Sequence, residues 1–203
     1  MLTNALLILG VLVVGVLVYA AFSEDTFRVE RHVVIDRPAR EIFPLLEDFR
    51  QWRLWSPWED LDPALARVYA GADRGAGAEY AWEGNSKAGK GRMVITRADT
   101  PTHLTIDLSF EKPFKAENNA AFDLEPEGSG TRVTWALYGP LPYLSKVMST
   151  FVSMDRLIGR DFERGLQKLK HAAEAPGSGV VSDPLPSPMH PEYSAGTRPQ
   201  HSG

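Results

Sequence analysis

The five histidines, His32, His103, His171, His190 and His201, are the side chains best suited to proton transfer or metal binding near neutral pH. None stands in a His-Glu-x-x-His or carboxylate-rich ligand spacing, so no metal is expected. His190 and His201 fall in a Pro/Gly/Ser-rich tail, His171 lies near the end of a helical pattern, and His103 shares a polar strand face with Thr105 and Asp107. The chain has 0 Cys, which removes thiolate nucleophiles, disulfides and Cys-ligated metals. No Gly-x-Ser-x-Gly elbow, dinucleotide-binding glycine fingerprint or phosphate loop occurs, so no cofactor is expected. Lys87, Lys90 and Arg92 form a small basic cluster beside a turn, read as a solvated edge in preference to an anionic headgroup site.

A different chemistry is offered by residues that alternation turns to an apolar interior. Tyr80, Trp82 and Trp135 fall on that face, and Asn118 is an amide among apolar neighbours. A buried amide needs partners. It is satisfied either by backbone and water or by the polar head of a bound apolar molecule. Trp52, Trp55 and Trp58 divide in the same way between end-closing packing and a gate, and Met148, Phe151 and Met154 between core and pocket.

The elements that would position these residues follow from periodicity. Phe27, Val29, Val33 and Ile35 alternate with polar residues as a strand, ended by Asp36-Arg37-Pro38. Asp36 suits the N-cap of a short helix whose apolar face is Ile42, Phe43, Leu45, Leu46 and Phe49. Six further strands are expected at Ala66–Tyr69, Ala78–Glu83, Gly91–Arg97, His103–Phe110, Ala116–Leu124 and Thr131–Tyr138, with short breakers that imply antiparallel pairing. Leu144, Val147, Phe151, Ile158, Phe162, Leu166 and Leu169 recur at helical steps as one long amphipathic helix, with Gly165 marking close approach to the sheet. The fold class expected is α+β, a curved antiparallel sheet of about seven strands around that helix, as a monomer.

Charge and composition limit the partners. The chain of 203 residues carries 22 Lys+Arg against 26 Asp+Glu, a formal net charge of -4, which repels polyanions, so nucleic acid is not expected. From Met1 to Ser23 no side chain is charged, with a nearly unbroken apolar run from Leu6 to Val18, and roughly 20 such residues as a helix span about 30 Å of hydrocarbon. Three segments are therefore expected: residues 1–23 as an uncleaved transmembrane anchor, 24–174 as the folded domain and 175–203 as a disordered tail. The expected localisation is a single-pass membrane protein, and the sequence leaves the side of the folded domain open.

Several motifs resemble one family. Val33-Val34-Ile35 with Arg37-Pro38 and Ile42-Phe43, Trp52…Trp55-Ser56-Pro57-Trp58-Glu59, Tyr80-Ala81-Trp82-Glu83-Gly84-Asn85, Gly89-Lys90-Gly91, Gly130-Thr131-Arg132-Val133-Thr134-Trp135 and Asp161-Phe162-Glu163-Arg164-Gly165-Leu166 together resemble the START-like (SRPBCC) helix-grip superfamily. The resemblance covers about Phe27 to Glu174 and is to the bacterial polyketide cyclase/dehydrase and lipid transport type. It implies a helix-grip fold with an apolar cavity between sheet and helix, used for lipids, isoprenoids, polyketides and other small hydrophobic molecules. It does not imply one reaction. With an apolar lining and no catalytic set, the expected function is membrane-anchored binding or transfer of a small hydrophobic ligand, touched by Trp55, Tyr80, Trp82, Asn118, Trp135 and Phe151. The alternatives are a polyketide cyclase/aromatase-like enzyme using Tyr80 or Asn118 for proton transfer, and an interaction module using the wet sheet face.

Overall fold

A computed structural model describes residues 2–143, 146–147 and 154–176. Phe151 and Met148, expected on the long helix, and the tail beyond residue 176 lie outside the described residues. The chain opens with helix α1 (Leu2–Phe22). Its end is tied to the domain: Tyr143 Oη donates to the Leu17 carbonyl at 2.9 Å, Lys146 Nζ donates to the Ser23 carbonyl at 2.8 Å, and Ala20 is fully buried. A membrane span needs about 20 consecutive apolar residues. Among the described residues no helix is long and apolar enough to cross a membrane. That finding overturns the single-pass membrane localisation and the transmembrane helix expected from the sequence.

Seven strands follow: β1 (Thr26–Ile35), β2 (Ala66–Gly71), β3 (Ala78–Glu83), β4 (Lys90–Asp99), β5 (His103–Lys112), β6 (Ala116–Glu127) and β7 (Gly130–Pro140). All neighbours pair antiparallel in one curved sheet of order β1-β7-β6-β5-β4-β3-β2. The β2–β7 run is a meander of short connections, and β1 closes onto β7 at the opposite edge. Alternation is strict where one face is covered. Leu104, Ile106 and Leu108 of β5 are buried while Thr105 and Asp107 face outward, and in β6 Ala120, Phe122 and Leu124 are buried on the inner face, with Ala121 between them buried as well.

Between β1 and β2 the chain forms two four-residue helices, α2 (Ala39–Ile42) and α3 (Pro44–Glu47), and a 3-10 helix, Phe49–Leu54. Pro44 lacks the N–H that would continue a single helix, so the expected helix is split there. The expected cap is also corrected. Pro38 occupies the N-cap of α2 with no side-chain cap, while the Asp36 carboxylate accepts from Ser129 Oγ at 3.1 Å and its N–H donates to Glu174 Oε1 at 2.8 Å. Asp36 instead joins β1 to the far end of the last helix.

That helix, α4 (Met154–Glu174), lies along β1 on the inner face. Phe162, Leu166, Leu169 and Ala173 are buried by it at helical spacing. Polar clamps hold both ends. Arg31 on β1 binds Asp155 at 2.7 and 2.9 Å and Glu163 at 2.9 Å, and Lys170 Nζ donates to the Val34 carbonyl at 2.6 Å. Gly165 lets the sheet approach as expected: a Cβ there would stand 2.9 Å from Trp135 Cζ3 and 3.0 Å from Pro57 Cδ.

Candidate functional site

The antiparallel register stacks the inner-face residues into rows across the sheet. One row is Arg31, Trp135, Phe122 and Leu104, and the next is Val29, Leu137, Ala120, Ile106 and Ile95. These rows are filled. Trp135 stacks on Phe162 of α4 at 4.0 Å and 11° and on Phe122 at 5.2 Å, with Trp55 at 5.4 Å and Trp58 at 5.5 Å. Trp52 and Trp55 donate their indole N–H groups to the carbonyls of Leu46 and Leu45, each at 2.9 Å. The aromatic segment Trp52–Trp58 thus lies packed between sheet and helix, with the Trp52 and Trp55 indoles satisfied by α3 carbonyls. Trp135 is buried too, and its Nε1 has no hydrogen-bond partner among the described residues.

Further along the sheet the lining changes. The third row runs Asn118, Leu108, Met93, Tyr80 and Tyr69, and the fourth runs Phe110, Gly91, Trp82 and Arg67. Two glycines remove side chains here. A Cβ on Gly91 would meet Trp82 Cη2 at 2.5 Å and the Ser109 carbonyl oxygen at 2.6 Å, so the Trp82 ring lies across the bare backbone. A Cβ on Gly139 would collide with Asn118 Oδ1, so the Asn118 amide lies over that glycine. Asn118, Trp82 and Phe110 are only half-buried, and the Asn118 side chain has no hydrogen-bond partner among the described residues. Trp82 donates to the Ala88 carbonyl at 3.0 Å.

At the β2 side these rows end in a polar cluster that sequence reasoning missed. The Glu59 carboxylate is 8% exposed, and both its oxygens are taken: Tyr80 Oη donates to Oε1 at 2.7 Å and Arg67 Nε to Oε2 at 2.7 Å. A buried carboxylate requires such partners. Burial, followed by the hydrogen bond and charge of Glu59, pushes the Tyr80 phenol far above its ordinary value, so it stays protonated. Burial likewise raises Tyr69. Burial works against the Arg67 cation, but the hydrogen bond and charge of Glu59 outweigh it and hold the guanidinium more firmly protonated. Tyr69 stacks on Tyr80 at 5.3 Å, with the Arg50 guanidinium 5.3 Å from its ring. Its Oη is buried without a partner among the described residues.

The signal for this cluster was present but needed the register. In Ala66–Gly71, Arg67 and Tyr69 face inward and Val68 faces out, 62% exposed. A six-residue edge strand shows that phase only once it is paired with β3.

Of the residues singled out in the sequence, Tyr80 and Trp82 are neighbours on β3 while Asn118 lies three strands away on β6, in the same row as Tyr80, and Trp55 and Trp135 sit in the filled aromatic core. His103 lies on the outer face, with Nδ1 2.6 Å from Asp123 Oδ1 and Nε2 2.8 Å from Thr105 Oγ1. Among the described residues no group of three or more His, Cys, Asp or Glu is placed to hold a metal.

The geometry can be set beside known proteins. The model of the family "polyketide cyclase / dehydrase and lipid transport" matches residues 26–174. No curated protein matches the chain. Among solved structures, the chain is similar to the di-domain ARO/CYC BexL from the BE-7585A biosynthetic pathway, with TM-score 0.55, 16% identity, and 77% of this chain and 53% of that one covered. It is also similar to the Aha1 dimer from Colwellia psychrerythraea, with TM-score 0.53, 13% identity, and 73% and 96% covered. Protein CV1439 from Chromobacterium violaceum gives TM-score 0.52, 12% identity, and 75% and 99% covered. At these identities the likeness is one of fold, the helix-grip arrangement of curved sheet and C-terminal helix. With the match running from the start of β1 to the end of α4, the chain belongs to the polyketide cyclase/dehydrase and lipid transport family.

Proposed function

We propose that the domain binds a small hydrophobic ligand against the inner sheet face at the rows of Asn118 and Trp82. The observation that carries this reading is the Asn118 amide, half-buried over Gly139 beside Leu108, with no hydrogen-bond partner among the described residues. An amide in apolar company is costly unless something bonds to it, and an apolar molecule with one polar head would do so. Trp82 across Gly91 and the neighbouring Phe110, with ring centroids 5.7 Å apart, supply the apolar wall.

A second reading, a cyclase-like enzyme, is favoured by the Tyr80–Glu59 pair, in which a neutral phenol is held on a buried carboxylate at the end of the same rows. Such a pair holds a protonated phenol in a fixed orientation, from which its oxygen can accept a hydrogen bond from a substrate hydroxyl or enol.

One experiment addresses both. The full-length chain is titrated with a panel of fatty alcohols, isoprenoids and a linear polyketone, and followed by tryptophan fluorescence. Saturable binding by wild type that Asn118→Leu weakens about tenfold supports the first reading, since a hydrogen bond to the ligand head is then lost. No binding by any member of the panel, or equal binding by both proteins, refutes it. Cyclised product from the polyketone, absent in Tyr80→Phe, moves the assignment to the enzyme.

A further inference from the structure

The row that begins at Asn118 ends at a second polar group in need of a partner. Tyr69 Oη is buried, and no group among the described residues bonds to it. Its neighbours are committed elsewhere. Both Glu59 oxygens are held by Tyr80 and Arg67, and Arg67 spends another N–H on the Leu65 carbonyl at 2.9 Å. Arg50 lies over the ring of Tyr69 rather than at its hydroxyl, and its N–H groups reach the Asp73 carbonyl at 3.1 Å and the Asp73 carboxylate at 3.3 Å. An unpaired buried hydroxyl carries the full cost of its desolvation. Between Tyr69 and Asn118 the row holds Tyr80, whose hydroxyl is occupied, and the apolar Met93 and Leu108. A buried hydroxyl and a half-buried amide, neither of them bonded among the described residues, therefore stand at separate points of one row, with buried apolar side chains between them.

We infer that Tyr69 Oη is a second polar anchor of the ligand site, and that the ligand class is an apolar molecule bearing an oxygen function at each end. The inference rests on the binding reading above, since it takes Asn118 as the first anchor. Four inter-strand steps of about 4.8 Å separate β6 from β2, an upper limit of roughly 19 Å along the sheet that its curvature shortens. The spacing suits an elongated diol, hydroxy acid or diketone in preference to a compact one. Asn118 can donate or accept. Tyr69 donates to a hydroxyl or carbonyl oxygen of the ligand, or accepts from its hydroxyl.

The test compares dodecanediol with dodecanol, two probes of one chain length that differ in one terminal hydroxyl. The full-length wild-type protein should bind the diol about threefold to tenfold tighter, the worth of one added hydrogen bond. Tyr69→Phe keeps the ring and its stacking on Tyr80, and should bind both probes with the affinity that wild type has for dodecanol. Binding of dodecanol without any preference for the diol overturns the second anchor and leaves the binding reading standing. A preference that persists in Tyr69→Phe also overturns it, because the second hydroxyl is then held elsewhere. Failure of both probes to bind overturns the binding reading and this inference with it. Should Tyr69→Phe not fold, the wild-type preference decides alone.

Discussion

Replacing Phe162 by Ala tests whether α4 holds the domain together. Phe162 is 1% exposed, and its ring lies on Trp135 at 4.0 Å with an edge toward Trp58 at 6.0 Å. Removing a buried Phe ring costs about 3–5 kcal/mol, and the value within that range depends on how far the site collapses. Here collapse is hindered. Trp135 is fixed by its strand and pressed by Phe122 at 5.2 Å, Trp55 at 5.4 Å and Trp52 at 6.5 Å, so it cannot follow the missing ring. The loss should fall in the upper half, about 4–5 kcal/mol including the stacking. For a domain of this size each kcal/mol lowers the Tm by about 2–4 °C, so a fall on the order of 8–20 °C is expected. Urea unfolding followed by tryptophan fluorescence, with thermal circular dichroism on the same samples, measures both. Arg160→Ala, an exposed residue on the same helix, should stay within about 0.5 kcal/mol of wild type. A Phe162→Ala midpoint within about 1 kcal/mol of wild type would refute the placement of α4 against Trp135.

Two further outcomes follow from the inner face. Gly139→Ala places a methyl group where Asn118 Oδ1 lies, so the amide must rotate away, and dodecanol affinity should fall by about threefold to tenfold as one hydrogen bond is lost. Unchanged affinity, measured by the same fluorescence titration, would mean that Asn118 does not touch the probe. The second outcome concerns pH. Burial, then Glu59, raises the Tyr80 phenol above its ordinary value of 10.0, so above that pH the unfolded chain releases a proton that the folded chain keeps. The stability this group contributes is complete below about pH 10 and is lost as pH rises toward the folded value, at up to about 1.4 kcal/mol per pH unit. Tyr80→Phe should therefore lose stability less steeply between pH 10 and 11 in urea titrations, and parallel slopes would remove the buried phenol from the account.

The strands were legible because each has one covered face. Alternation in β5, with Leu104, Ile106 and Leu108 against Thr105 and Asp107, places every side chain without knowledge of its neighbours. Ala78–Glu83 is found with the bounds expected, and other strands run a few residues longer because their partners continue the ladder, as β6 does to Glu127 opposite Gly130. The α4 face was equally legible in Phe162, Leu166 and Leu169. Local capping was less so: Asp36 has the chemistry of an N-cap, yet its carboxylate is drawn to Ser129, 93 residues away. The polar cluster was least legible, since Glu59, Arg67 and Tyr80 meet only when β2 pairs with β3 and the segment after the 3-10 helix folds back over them. No periodicity records a contact of that kind.

The distribution of side-chain size over the inner face explains why the candidate site lies where it does. Near Trp135 the rows carry large rings, and α4 adds Phe162 through the gap opened by Gly165. Those rows are packed by the protein's own rings, although the Trp135 Nε1 has no partner among the described residues. Toward Asn118 and Trp82 the sequence removes side chains at Gly91 and Gly139, where the Trp82 ring and the Asn118 amide lie instead, keeps Asn118, Trp82 and Phe110 half-buried, and leaves the Asn118 amide and the Tyr69 hydroxyl without partners among the described residues. A face built only for stability would pair its buried polar atoms, because each unpaired buried group costs about 1–3 kcal/mol. Trp52 and Trp55, with their N–H groups bonded to Leu46 and Leu45, hold the aromatic rows closed from the side of α3, so the half-buried edge at Asn118, Trp82 and Phe110 is the part of the inner face that the proposed binding reading has to use.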